Sequence, residues 1–262
     1  MIEVNFIGTG GSVATIERDN TSFLINTDHN LILVDVPGSV TQKIKKLGFN
    51  PDSVRTLLVT HTHPDHVYGL PALVHSLMLT DMVLDLYGSA LVVDFCRQIL
   101  DIFHLLDEKI KCRVNFIPLE PGDEFVIEDS LRCMAASVPH SQSSLAFQFS
   151  FLPEGIRLLY SGDTPAHPPL FELAENIDYL IHDCSAPSRF FEEFSSLKRM
   201  HTDSLALGQL AQSAGIKYLI PCHFFGEIDY PISEIEQEIK ENYKGKLIIP
   251  EDFMKIALTL ED

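Results

Sequence analysis

Three imidazoles and one carboxylate stand within six residues in the segment Thr60-His61-Thr62-His63-Pro64-Asp65-His66. Borderline-soft divalent metals prefer these ligand types. His61 and His63 have the spacing of alternate strand residues and can reach one metal. Asp65 and His66 enter the next element and can turn toward a second. Such a string reads as the core of a two-metal hydrolytic site. The plain alternatives are an accidental histidine-rich loop and a single structural metal. Structural sites favour closed, Cys-rich ligation. The five cysteines (Cys96, Cys112, Cys133, Cys184 and Cys222) contain no CxxC pair.

The cluster needs a frame. Arg55–Thr60 is a short apolar strand that ends on the histidines. A helix is predicted from Asp65 to Leu79, with Val67, Leu70, Leu73, Val74 and Leu77 at helical spacing. Upstream, Ile2–Ile7 reads as a strand followed by a loop with Gly8, Gly10 and Gly11. Ser22–Asn26 and Leu31–Val36 read as a hairpin around Thr27–Asn30. Ser39 is the expected N-cap of a helix through Lys46. Val83–Tyr87 is an expected strand and Ala90–Leu100 a helix. Beyond Arg113 strands dominate, at Val114–Ile117, Glu124–Ile127, Leu131–Val138, Ser144–Phe151 and Arg157–Tyr160. Alternation follows, with helices at Pro169–Ala174, Thr202–Ala214 and Ile232–Asn242 and strands at Tyr179–His182 and Tyr218–Ile220. Leu247–Ile249 and Met254–Leu258 close the chain. The pattern is α/β: one domain over residues 1–262, in two related halves of about 1–120 and 121–262, sheets together and helices outside.

Composition narrows the partners. Hydrophobic residues make up 45% and charged residues 21% of the 262, ordinary for a globular enzyme. The net charge of -18 argues against broad nucleic-acid binding, which relies on Lys and Arg neutralising phosphates. Lys43, Lys45 and Lys46 form one small basic cluster, and Lys109, Lys111 and Arg113 another; both read as solvated faces. No run of about 18 apolar residues and no basic-then-apolar leader appears, so a cytoplasmic location and no membrane partner are expected. An odd number of cysteines without pairing motifs fits reduced, buried thiols there. Cys184 and Cys222 flank candidate site residues but are not expected to be ligands.

With these residues in view, the chain resembles the metallo-β-lactamase superfamily, whose HxHxDH motif matches His61, His63, Asp65 and His66. Within it the chain most resembles the ribonuclease Z (tRNase Z) branch over nearly its whole length. Phe6-Ile7-Gly8-Thr9-Gly10 and Glu17-Arg18-Asp19-Asn20-Thr21-Ser22 are similar to that branch's Gly-Thr-Gly loop and Glu-Arg-Asn-x-Thr-Ser stretch. The resemblance implies a four-layer αββα sandwich of two mixed sheets packed face to face. It also implies further metal ligands: His140 in Val138-Pro139-His140-Ser141, a bridging Asp163 in Ser161-Gly162-Asp163-Thr164, and His223 in Ile220-Pro221-Cys222-His223-Phe224. His201, in His201-Thr202-Asp203, falls where the branch has a catalytic His-Ser-Thr motif. Asp183, in Leu180-Ile181-His182-Asp183, falls where the branch has a Glu and would orient His201. His167 flanks the Asp163 loop and can face the pocket; His29, His75, His104 and His182 read as structural.

The resemblance implies hydrolysis of phosphodiesters by a water that two divalent metals activate, zinc foremost with manganese or iron as alternatives. Asp65 would hold the second metal and accept the water's proton; His201 would assist the leaving oxygen. Lactam-cleaving relatives have Cys where this chain has Asp163. Diiron oxygen-reducing relatives have Glu in the motif's third position and an added flavin domain. Two departures from the branch bear on substrate. Only the 22 residues Ser141–Gly162 separate His140 from Asp163, which leaves no room for the arm that grips tRNA. The stretch Asp35-Val36-Pro37-Gly38-Ser39-Val40-Thr41-Gln42 differs from the branch's Asp-Cys-Gly-Glu-Gly-Thr-Gln. A small or cyclic phosphodiester stands beside a tRNA 3′ end as the expected substrate. Thioester or lactone hydrolysis and a non-catalytic metal-binding role are the alternatives of another kind. A homodimer is an expectation by resemblance.

Overall fold

The structure is a computed structural model that describes residues 1–27, 29–173 and 176–260. The first half contributes strands β1 (Glu3–Gly8), β2 (Ser22–Asn26), β3 (Leu31–Val34), β4 (Val54–Leu58), β5 (Val83–Ser89) and β6 (Arg113–Leu119). Its helices are α1 (Val40–Lys46), α2 (Pro64–Val67), α3 (Leu70–Ser76) and α4 (Ala90–Ile102). The second half contributes β7 (Glu124–Glu128), β8 (Leu131–Ser137), β9 (Leu145–Phe151), β10 (Ile156–Tyr160), β11 (Tyr179–Asp183), β12 (Tyr218–Cys222), β13 (Lys246–Leu247) and β14 (Lys255–Ala257). Its helices are α5 (Pro169–Leu173), α6 (Ser188–Glu193), α7 (Ser204–Ser213) and α8 (Ile232–Asn242).

Two seven-stranded sheets result, ordered β14-β1-β2-β3-β4-β5-β6 and β13-β12-β11-β10-β9-β8-β7. In the first, β14 through β3 pair antiparallel and β3 through β6 pair parallel. In the second, β7 through β10 pair antiparallel and β10 through β13 parallel. Alternate residues of each strand point to opposite faces. Val4, Phe6, Phe23 and Ile25 of one sheet therefore meet Phe147, Phe149, Leu158 and Ile181 of the other in a shared inner core. The opposite faces bury Leu24, Leu33 and Leu57 under α1, α3 and α4, and Leu159, Leu180 and Leu219 under α7 and α8. Helices thus cover both outer faces, giving the αββα sandwich. Among the described residues no helix is long and apolar enough to cross a membrane.

Several expected elements are corrected. The helix expected over Asp65–Leu79 is two pieces, α2 and α3, broken at Tyr68–Gly69. Gly69 N donates to Val36 O at 2.8 Å, and a Cβ there would meet Pro37 O at 1.9 Å. This close approach, possible only for glycine, pins the ligand-bearing turn to the loop after β3. Ser39 does precede α1, but with left-handed backbone at φ 59 and no side-chain cap. Lys43 is no solvated residue: it is 8% exposed and pairs with Asp19. The helix expected from Thr202 begins at Ser204, with Asp203 as its cap. The closing strands shrink to β13 and β14, which stand at sheet edges paired to β12 and β1. Helix α6 has no counterpart among the expected elements. Asp28 of the expected turn and Ala174 of the expected helix lie outside the described residues.

Candidate metal centre

Five strands of the two sheets end on one rim, and the chemistry-bearing residues sit at or just beyond their C-terminal ends. His61, His63, Asp65 and His66 follow β4, His140 follows β8, Asp163 follows β10, Asp183 closes β11 and His223 follows β12. Leu145 N donates to Thr60 O at 3.0 Å, tying the histidine loop to the second sheet.

The side chains form two clusters that share Asp163. In one, His61, His63, His140 and Asp163 bring their donor atoms within 4.8 Å of one another. His61 Nε2 and His140 Nε2 lie 2.9 and 3.1 Å from His63 Nδ1, and 3.6 and 3.7 Å from Asp163 Oδ2. In the other, Asp65, His66, Asp163 and His223 do the same. His66 Nε2 and His223 Nε2 lie 3.4 and 3.1 Å from Asp163 Oδ2, and 3.4 and 3.5 Å from Asp65 Oδ2. His66 Nε2, His223 Nε2 and Asp163 Oδ1 are buried without a hydrogen-bond partner. Buried polar atoms are normally satisfied, so these orphaned atoms fit a divalent metal, and the imidazole–carboxylate set suits one.

The outer nitrogens are committed. His66 Nδ1 donates to Asp35 Oδ2 at 2.8 Å. Thr60 spends its single hydroxyl proton on Asp35, 3.0 Å away, so its oxygen accepts from His61 Nδ1 at 3.1 Å. Tyr160 OH also donates to Asp35, at 3.3 Å. On the other side His201 Nδ1 donates to Asp183 Oδ2 at 2.8 Å. Ser185 Oγ donates to Asp183 Oδ1 at 2.7 Å and faces His223 Nδ1 at 3.4 Å. His140 Nδ1 donates to Met200 O at 2.7 Å. These partners fix each ring's orientation and turn its other nitrogen toward the centre. His223 itself has φ 64, and its N–H is held by Thr21 Oγ1 at 3.0 Å.

Electrostatics divide the histidines. Burial and the neighbouring imidazoles hold His61 well below the usual histidine range, and burial lowers His63 and His140. Burial also opposes charge on His66 and His223, but Asp163 overrides it, lifting His66 well up and His223 to about 10. Asp65 and Asp163 are low despite burial: the close imidazoles of His223 and His66 lower Asp65, and the charges of the same two histidines lower Asp163.

All nine residues singled out in the sequence lie together at this rim. His201 stacks on His223 at 5.2 Å and meets His140 edge-on at 5.0 Å. Cys184, Cys222 and His167 join none of the clusters among the described residues. Cys184 and Cys222 are buried, and burial pushes both thiols well up. Asp35, Thr60, Ser185 and Thr21 were not foreseen as supports. For Asp35 a signal existed: an acidic residue directly after the fully buried strand β3, beside the strand that carries the histidines.

Fold and site together define a hydrolase of the metallo-β-lactamase superfamily, in its ribonuclease Z-like branch. Residues 2–205 match the family described as "Anti-Pycsar protein Apyc1", and the chain belongs to that family. It is 25% identical to the Ribonuclease Z of Methanosarcina acetivorans, covering 98% of each chain. Among solved structures it resembles the metallo-β-lactamase fold protein YhfI from Bacillus subtilis, with TM-score 0.80, 18% identity and coverage of 98% of this chain and 100% of that one. It also resembles the short form of human tRNase Z, with TM-score 0.78, 19% identity and the same coverage.

Proposed function

We propose that the chain hydrolyses small phosphodiesters, cyclic nucleotides foremost, with two divalent metals, zinc first and manganese or iron as alternatives. One observation carries the reading: the His201–Asp183 pair stands directly against both clusters, stacked on His223 and edge-on to His140. His61, His63, His140 and Asp163 would hold one metal, and Asp65, His66, Asp163 and His223 the other. Metals there would make a water acidic enough to attack at neutral pH and would neutralise charge on the phosphoryl oxygens. Asp65, kept ionised by His223 and His66, would take the proton of the attacking water. His201 has its Nδ1 committed to Asp183, so Nε2 faces the leaving oxygen and gives it a proton or a charged hydrogen bond.

The small-substrate reading is supported by β9 and β10, which fill Ser141–Gly162 and leave no protruding arm. A second reading, tRNA 3′-end cleavage, is favoured by relatives named Ribonuclease Z that match along 98% of their length. Metal-loaded protein offered a cyclic nucleotide and a precursor tRNA separates the two. Turnover of the cyclic nucleotide alone supports the first; cleavage of the tRNA alone replaces it with the second. A cytoplasmic homodimer completes the proposal. A second apolar face on α4 supports the dimer, with Leu91, Phe95 and Ile102 exposed opposite the buried one, and sedimentation equilibrium tests it.

A further inference from the structure

Phe225 belongs to two places at once. Its ring meets His201 at 79° with centroids 5.1 Å apart, and lies 6.1 Å from His223. It also lines a cavity of about 450 Å³ that starts at the two residues after His223. That volume lies in the range of about 300–1,000 Å³ usual for small-molecule sites.

The walls are held in place. Phe225 N donates to Ser185 O at 2.8 Å, and Tyr230 OH donates to the same carbonyl at 2.9 Å. One terminal nitrogen of Arg18 donates to Thr9 Oγ1 at 2.6 Å and to Pro250 O at 2.7 Å, and its guanidinium lies on the Phe224 ring. Three exposed carboxylates, Glu17, Glu227 and Asp229, line the same cavity. An anionic phosphoryl group is repelled by that rim and drawn to the histidine side of Phe225. The lining carboxylates outnumber the one guanidinium, Arg18, which is already held by Thr9 and Pro250, so the cavity favours an apolar-faced group that offers N–H donors over an anion.

We infer that this cavity is a nucleobase subsite, with Phe225 as its stacking platform and the carboxylate rim favouring bases that carry an amino group over uracil. The inference rests on the phosphodiester reading, because it places the ester's phosphate at the metal centre. Base–aromatic stacking is sequence-tolerant and depends on the planar face, so the rim supplies the discrimination.

Calorimetric binding to the metal-loaded protein tests this without turnover, using CMP, UMP and ribose 5-phosphate as probes. CMP is expected to bind about tenfold or more tightly than ribose 5-phosphate, the scale of one stacked base, with UMP between them. Phe225→Leu should bring CMP down toward ribose 5-phosphate and leave ribose 5-phosphate itself unchanged, while Phe225→Trp keeps the difference. Glu227→Gln should narrow the gap between CMP and UMP. Equal binding of CMP and ribose 5-phosphate by the unaltered protein overturns the subsite. So does a Phe225→Leu variant that weakens all three probes alike, which would make Phe225 only a support for His201. Base-dependent binding without hydrolysis of any phosphodiester would sink the proposed function and leave the subsite standing. Hydrolysis without base preference would do the reverse.

Discussion

Asp35 and Asp183 hold their histidines in the same way from opposite sheets. Each binds one ring directly, His66 or His201, at 2.8 Å. Each reaches a second ring through a hydroxyl, Thr60 to His61 and Ser185 to His223. Asp35 directly follows β3 and Asp183 closes β11, so each carboxylate comes from the end of a parallel-paired strand. A hydroxyl has one proton; once it is given to the carboxylate, only an N–H can face the oxygen. The tautomers of His61 and His223 follow from that count, and both present Nε2 to the centre.

His201 touches the centre without being among the two Asp163-sharing clusters. His201→Ala should therefore keep the metal content measured by elemental analysis. Its rate on a phosphodiester should fall by about 10²–10⁴-fold, the range for losing a general acid. His63→Ala should lose metal and activity together. A His201→Ala protein that stays fully active would remove His201 from the mechanism.

The hydroxyl relays predict a separate effect. Thr60→Val and Ser185→Ala each leave a buried histidine N–H without an acceptor, and metal affinity should drop by about 10–100-fold, as for other outer-sphere partners. Thr60→Ser should restore it. Competition with a chromogenic chelator measures the change. Unchanged affinity in both variants would mean the rings are held by packing alone.

The sequence showed the centre more clearly than its supports. His61 through His66 were legible because their types and spacing are rare together, and the resemblance carried His140, Asp163, His201 and His223. Sheets and outer helices followed from period-two and helical apolar patterns. The break in the expected Asp65–Leu79 helix was not legible, because it depends on Gly69 meeting the Val36–Pro37 backbone, a contact between distant segments. Ser185 and Thr60 were hidden for the same reason: a hydroxyl beside a histidine means nothing until Asp183 and Asp35 are placed next to it.

Metal binding should release protons. Asp163 lifts His66 and His223 above the usual histidine range, His223 to about 10, so without metal both carry a proton at neutral pH. Their folded values are raised, so the stability they lend the metal-free chain is complete below about pH 6.5 and is lost as pH rises through about 10. Metal must displace those protons, so its affinity should rise with pH over that window. Calorimetry in buffers of different ionisation enthalpy counts the protons; a release of none at pH 7 would contradict the assignment. Chelator-treated protein should lose activity and regain it with added zinc.

Asp203 tests how the segment carrying His201 is anchored. Its Oδ1 accepts at 2.8 Å from the N–H of Ala206, the third residue of α7, and so caps the helix that begins just after His201-Thr202-Asp203. Burial raises this carboxyl despite the hydrogen bond from Ala206. A carboxyl raised on folding contributes most when protonated, and that contribution is lost as pH climbs through its folded value. At neutral pH the ionised group thus carries its desolvation cost in full. Asparagine caps as well as aspartate and has no charge to desolvate. Asp203→Asn should therefore be at least as stable as the unaltered protein at pH 7, with the advantage shrinking toward pH 4. Asp203→Ala removes the acceptor and should cost about 1 kcal/mol. Urea unfolding midpoints at the two pH values measure both. If Asp203→Asn is the less stable protein at pH 7, the negative charge on the α7 N-terminus outweighs its burial, and the helix dipole rather than the hydrogen bond holds this end of the site.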